Sequence, residues 1–163
     1  MKETENIAAK ILSQQMLKDL LVREASLKKK VVFTNGCFDI LHPGHIHLLQ
    51  EAKQLGDLLI VGLNSDSSVK RLKGPDRPVQ DENSRALLLA AILFVDYVVL
   101  FSEDTPLDLI KLISPDVLVK GGDYRENEIV GSDFVKETGG ITITIPFLKG
   151  FSSSSLIDKS RKK

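Results

Sequence analysis

The chain has no surplus of charge of either sign: Lys and Arg total 22, and so do Asp and Glu. A balanced chain has no long-range field to draw it onto a phosphate backbone or an anionic lipid surface. Non-specific nucleic-acid binding and membrane attachment through overall charge are therefore excluded, and any anion site must be built from a few local groups. Cysteine is nearly absent, with Cys37 alone, so no disulfide can close within the chain. No apolar run is long enough to cross a bilayer as a helix. The opening stretch, "MKETENIAAKILSQQ", mixes charges and glutamines and lacks the apolar segment of a secretory leader. Internal repeats and linkers are missing too, and the one low-complexity feature is "SSSS" at Ser152 to Ser155. These absences predict a cytoplasmic protein of one domain, residues 1–163, with neither nucleic acid nor membrane as a partner.

What is present is a core. Hydrophobic residues make up 42% of 163 positions, enough for a packed interior. Ile7, Ile11, Leu12, Met16, Leu20 and Leu21 recur near the helical period and predict one helix from Glu3 to Ala25, within a leading segment 1–28. The core then runs over 31–157. "VVFT" (Val31 to Thr34), "LLIVGL", "YVVLF", "DVLVK" and "ITITI" are short apolar or β-branched runs that read as buried strands. Between them lie helical patterns: "PGHIHLLQEAKQLG", "ENSRALLLAAI", "TPLDLIKLI" with Thr105 as N-cap and Pro106 at the first helical position, and "IVGSDFVKET". A helix in "SSSLIDKS" closes the chain. Continuous apolar strands alternating with helices predict an α/β doubly wound sheet of about five parallel strands with helices on both faces.

Ligands in such sheets bind beyond the carboxyl ends of the strands. Four chemically suggestive segments fall there: "NGCFDILHPGH", "NSDSSVKRLKGPDR", "KGGDY" and "FLKGFSSSS". In the first, Pro43 suits the opening position of a helix, which makes His42 its N-cap. Gly44 removes a side chain and lets a ligand approach the backbone. His45 follows one turn in, beside His42. Free N–H groups and the positive end of the helix dipole favour phosphate there, and two imidazoles add donors. Zinc on Asp39, His42 and His45 is a rival reading, disfavoured by Pro43 and Gly44 and by the lack of a fourth ligand. His47 lies elsewhere on the helix as a surface or packing residue. Cys37 reads as a small buried thiol rather than a nucleophile. The serines before "LIDKS" cap a second helix, or help to hold a polyphosphate between two helix starts. The bland alternative for Lys70, Arg71 and Lys73, a solvated charge run, is the weaker one in this context.

"GCFDILHPGH" resembles the HxGH signature of the nucleotidyltransferase superfamily, and "GFSSSSLI" resembles its second signature. Together with "GDLLIVGLNSDSSVKRLKGPDRPV", "RALLLAAI" and "SPDVLVKGGDY", in order from Val31 to Ile157, the chain resembles the heptose 1-phosphate adenylyltransferases more narrowly. The resemblance implies a Rossmann-like fold and an enzyme that joins the AMP moiety of ATP to D-glycero-β-D-manno-heptose 1-phosphate. Pyrophosphate leaves, and Mg²⁺ is carried mainly on the ATP phosphates, with no protein metal site. It implies His42, His45 and Lys73 as catalytic residues, with Lys70 as the alternative loop lysine. Nucleotide contacts are implied for Thr34, Asn35, Gly36, Cys37, Phe38, Gly44, Arg85, Gly121, Gly122, Asp123, Phe151, Ser152, Ser153 and Ser154. Acceptor contacts are implied for Asn64, Asp66, Lys70 and Lys120, and a bracing role for Asp39. It further implies a homodimer, with a separate heptose kinase and a phosphatase acting upstream; no kinase portion accompanies this sequence, so a stand-alone transferase is expected. Two positions depart from simpler cytidylyltransferases: Cys37 stands where threonine is common, and Lys149 stands near a usual arginine. The rivals are a cytidylyltransferase for glycerol 3-phosphate, a nucleotide-binding module without turnover, and, distantly, a zinc hydrolase.

Overall fold

The computed structural model describes residues 6–148, 150, 151, 153, 156 and 157. Six strands form one all-parallel sheet: β1 (Ile11–Leu12), β2 (Val31–Gly36), β3 (Leu58–Asn64), β4 (Tyr97–Phe101), β5 (Val117–Gly121) and β6 (Ile141–Ile145), in the order β1-β4-β3-β2-β5-β6. The helices are α1 (Gln14–Ser26), α2 (Pro43–Lys53), α3 (Asp66–Lys73), α4 (Glu82–Ala90), α5 (Leu107–Ile113) and α6 (Ser132–Glu137). The chain winds outward from β2 in both directions, so the winding reverses between the neighbours β2 and β5. Their carboxyl ends are where such a sheet opens a crevice.

Strand periodicity splits the core into two layers. Along β2 and β3, Val31, Phe33, Leu58 and Ile60 pack with Leu17 and Leu20 of α1, with α5 and with Val135 of α6. The intervening Val32, Leu59, Val61 and Leu63 pack with Leu49 and Ala52 of α2 and with Ala86, Leu89 and Ala90 of α4. Every residue of β3 is buried, because helices cover both of its faces.

Three expectations need correction. The sheet has six strands rather than about five, because the stretch read as one helix over Glu3 to Ala25 is a short 3₁₀ turn (Ile7–Lys10), then β1, then α1. Ser13 accepts from the Met16 N–H at 3.2 Å and starts α1 there, freeing Ile11 and Leu12 to pair with Val98 and Val99 of β4. The segment of Lys70 and Lys73, read as a loop, is α3: Ser65 caps its start by accepting from the Ser68 N–H, and Gly74, at φ 101°, ends it. The N-cap of α5 is Pro106, one residue beyond Thr105. The closing helix expected in "SSSLIDKS" lies largely outside the described residues.

Candidate active site

A cleft of about 690 Å³ opens at the carboxyl ends of β2 and β5. Its scale is that of a small-molecule site. His42 and His45 line it from the start of α2, where Pro43 occupies the first helical turn. Their rings stack at 3.7 Å between centroids and 20° between planes. Phe38 tilts against His45 at 5.0 Å, and Phe151 lies 6.5 Å from His42 on the cleft side. A Cβ on Gly44 would come within 3.0 Å of the His42 ring, so the glycine admits that ring as well as a ligand. His42 caps α2 through its backbone, with no side-chain cap bond. The buried Nδ1 atoms of His42 and His45 find no hydrogen-bond partner among the described residues.

Burial holds both imidazoles below their ordinary range, and His42 adds repulsion at His45, whose pKa falls from 6.5 to about 4. Both are therefore neutral at pH 7 without ligand, and each can donate one N–H. Burial pushes the Cys37 thiol up, which fits a small packed thiol rather than a nucleophile. Burial likewise lowers the pKa of Lys120, with the charge of Lys73 adding to the effect.

Most of the residues singled out in the sequence line this one cleft: Asn35, Gly36, Cys37, Phe38, Asp39, Gly44, Asn64, Lys73, Lys120, Gly121, Phe151 and Ser153, with the two histidines. Asp39 is 2% exposed; it accepts from Arg77 Nε at 2.5 Å and from the Val79 and Gln80 N–H groups at 2.7 and 3.2 Å. It braces the segment before α4. Ser153 donates to the Ile40 carbonyl at 3.0 Å, tying the second signature to the first. Thr34 lies beneath the floor, fully buried, with its hydroxyl unpartnered among the described residues.

Five of the expected contact residues, Arg85, Asp66, Lys70, Gly122 and Asp123, are not among those that line the cleft. Arg85 is 1% exposed and its guanidinium is occupied, donating to the carbonyls of Gln80, Cys37 and Asn64 at 3.0, 2.6 and 2.8 Å and to Asp66 at 2.7 Å. Four of its five N–H donors are thereby occupied within the protein, and the side chain does not line the cleft. Asp66 is committed to that same ion pair. Lys70 is exposed on α3 and does not line the cleft, which Lys73 does. Gly122 and Asp123 lie past the lining: the Gly122 N–H donates to the Ile145 carbonyl at 2.9 Å, and Asp123 is exposed. Ser152, Ser154 and Lys149 fall outside the described residues. The sequence reading missed Arg77, which lines the cleft and pairs with Asp39. It also missed the apolar wall of Leu48, Val130 and Phe147.

A family model described as cytidylyltransferase-like matches residues 33–158. The chain belongs to the cytidylyltransferase-like family. It is 52% identical over 151 residues to a bifunctional protein HldE of Trichlorobacter lovleyi, covering 93% of this chain and 31% of that one. It is 54% identical over 153 residues to a bifunctional protein HldE of Helicobacter acinonychis, covering 94% and 32%. The chain thus spans about a third of the length of these relatives. A lipopolysaccharide core biosynthesis protein from Thermoplasma volcanium superposes with a TM-score of 0.62 at 34% identity, over 76% of this chain and 99% of that one. The pantoate-beta-alanine ligase of Francisella tularensis shares the fold, with a TM-score of 0.63 over 93% of this chain at 18% identity. The expected superfamily and Rossmann-like fold are both borne out.

Two predictions follow from the buried charges. Arg85→Met leaves the Cys37 and Asn64 carbonyls unpaired and is expected to cost about 3 kcal/mol or more of unfolding free energy, read by urea titration. The half-exposed partner change Asp66→Asn is expected to cost less. His45 has a folded pKa below its unfolded value, so its contribution to stability is full above pH 6.5 and is lost as pH falls toward about 4. Melting curves of His45→Gln are expected to lose part of the pH dependence that the unaltered protein shows across that window, with His42, also held low by burial, accounting for a further share.

Proposed function

We propose that the chain is an adenylyltransferase that transfers the AMP moiety of ATP to D-glycero-β-D-manno-heptose 1-phosphate, yielding ADP-heptose and pyrophosphate. The observation that carries this reading is the stacked pair His42 and His45 at the start of α2, opening into the cleft at the β2–β5 switch point. The likeness of the motifs to heptose 1-phosphate adenylyltransferases and the identity with HldE proteins support the choice of nucleotide and acceptor. One catalytic unit over residues 31–157, working in the cytoplasm as a homodimer downstream of a heptose kinase and a phosphatase, completes the proposal.

The chemistry asks little of the protein in proton transfer. The acceptor is a phosphate oxygen, mostly ionised at neutral pH because its second pKa is about 6, so no general base is required. The attacking oxygen forms a bond to the α-phosphorus in line with the bond to the departing pyrophosphate, which leaves with that electron pair. The barrier lies in bringing two anions together and in the charge that spreads over the α-phosphoryl oxygens. The Gly44 N–H at the start of α2 and the imidazoles of His42 and His45, all on the cleft lining, can donate to that charge. Lys73, at the end of α3, and Arg77 supply the nearby cations. Mg²⁺ enters with the triphosphate as part of the substrate. Among the described residues no three His, Cys, Asp or Glu side chains gather to hold an ion, and Asp39 is already engaged by Arg77.

Pyrophosphate release is the direct test. The protein is expected to release it with ATP and heptose 1-phosphate; turnover with CTP and glycerol 3-phosphate, and none with ATP, would overturn the assignment. His42→Ala and His45→Ala are each expected to lower kcat at least about 10²-fold, the scale of one oxyanion-type donor, with melting curves still cooperative. His47→Ala, on the outer surface of α2, is expected to turn over as the unaltered protein does. Equal damage from His47→Ala and His45→Ala would misplace the site.

A further inference from the structure

The cleft reaches over the carboxyl edge of the sheet, so its two walls come from opposite layers. One wall is α2, which carries His42 and His45 and packs through Leu49 and Ala52 on one face of the sheet. The other is the turn between β4 and α5. Phe101 closes β4 on the opposite face, and Leu109, Ile110 and Ile113 of α5 pack there. The chain between them brings Asp104, Thr105 and Pro106 to the lining. The adenylyl transfer itself uses none of these three.

Asp104 is out of place by charge. The cleft has to collect a triphosphate and a phosphate monoester, and a carboxylate repels both. Among the described residues the lining holds two carboxylates, Asp39 and Asp104. Asp39 is buried and spent on Arg77 and two backbone N–H groups. Asp104 is exposed and only half occupied: its Oδ1 accepts from Arg71 Nε at 2.7 Å, and its Oδ2 has no protein partner among the described residues. Arg71 also donates to the Ser102 carbonyl, and Ser68 Oγ donates to the Glu103 carbonyl at 3.1 Å. Two residues of α3 thus hold the turn, and Asp104 with it, in place. An exposed ion pair stabilises a fold only slightly, so stability gives little reason to set a negative charge at the mouth of an anion site. A fixed carboxylate oxygen does suit an uncharged hydroxyl, because O–H···O⁻ bonds are among the stronger ones. Beside it the exposed Thr105 hydroxyl can donate and accept, and Pro106 adds carbon surface.

We propose that Asp104, with Thr105 beside it, binds the hydroxyls of the acceptor's sugar and so selects a polyhydroxylated phosphate monoester over a plain one. The inference rests on the adenylyl-transfer reading and adds to it the residues that recognise the uncharged part of the second substrate. With the triphosphate on the α2 wall, the acceptor approaches from the α5 wall. Its phosphate leads toward the α-phosphorus, and its carbon skeleton trails behind against the turn. The charge of Asp104 then acts twice. It accepts from sugar hydroxyls, and it rejects an acceptor that enters backwards, whose phosphate would lie against the carboxylate.

The test compares two phosphates. The protein is saturated with a non-hydrolysable ATP analogue and titrated calorimetrically with heptose 1-phosphate and with methyl phosphate, which has no hydroxyl on its carbon. Asp104→Ala is expected to weaken heptose phosphate binding at least about tenfold, while methyl phosphate binds both proteins equally weakly. Asp104→Asn keeps an uncharged acceptor and is expected to recover part of the loss. In turnover, the KM for heptose phosphate rises and that for ATP does not. A carboxylate acting through its charge alone predicts the reverse: both phosphates bind Asp104→Ala as well as the unaltered protein, or better, and that result overturns the proposal. So does a parallel loss of both while the melting curve is unchanged. If Asp104→Ala fails to fold, the same comparison is made with Asp104→Asn. An unaltered protein whose heptose phosphate binding depends on Asp104 but which releases no pyrophosphate sinks the adenylyltransferase reading and leaves the subsite standing. Pyrophosphate release with a KM for heptose phosphate that Asp104→Ala leaves unchanged sinks the subsite and leaves that reading standing. An unaltered protein that binds no heptose phosphate at all overturns the subsite.

Discussion

One buried guanidinium holds the mouth of the cleft in shape. Arg85 leaves water entirely, which is tolerable only if each face of its planar fork meets an acceptor. Its acceptors come from separate pieces of chain: the carbonyl of Cys37 after β2, that of Asn64 at the end of β3, that of Gln80 before α4, and the carboxylate of Asp66 at the start of α3. Those pieces cannot shift independently without stranding a charge. The Asp39–Arg77 pair clamps the segment before α4 to the loop that delivers His42. The positions of the stacked histidines are thus set by buried electrostatics beneath them, and the cleft is largely shaped before any ligand arrives.

The histidine stack has a physical consequence of its own. Two imidazoles at 3.7 Å cannot both become imidazolium cheaply, and burial opposes even one charge. Without ligand the pair is neutral, so the start of α2 offers hydrogen-bond donors and the helix dipole rather than full positive charge. Full charge without an ion-pair partner among the described residues comes from Lys73 and Lys120 in the lining. That division suits a reaction in which negative charge moves across a phosphoryl group: neutral donors at the helix start, with cations elsewhere on the same lining.

Much of this was legible in the sequence, for identifiable reasons. Strands β2 to β5 carry apolar runs because helices cover both of their faces, whereas the edge strand β6, with only Ile145 buried, is legible from its β-branched residues. His42, Pro43, Gly44 and His45 were legible because a helix start built from those residues has few structural uses. β1 was hidden because Ile11 and Leu12 also satisfy the helical period of their neighbours, and only pairing with β4 reveals the strand. α3 was hidden because serine and charge dominate it; its stability comes from the Ser65 cap and from the tie between Arg71 and Asp104. The family resemblance alone implies a nucleotide contact for Arg85, and a long cation can turn either way. A signal was available: with Ala86, Leu89 and Ala90 it completes the buried stripe of α4, so its Cα already faced the core. The pairing of Arg77 with Asp39 joins residues far apart in sequence, and no local pattern announces it.

The central claim is that the cleft works by positioning anions, with no protein nucleophile. The stereochemical course at phosphorus tests it directly. ATP made chiral at the α-phosphorus, with sulfur replacing one oxygen, is converted to product and the configuration determined. A single in-line attack by the sugar phosphate predicts inversion. Retention would require two displacements and a covalent nucleotidyl intermediate on the protein, and would contradict the account.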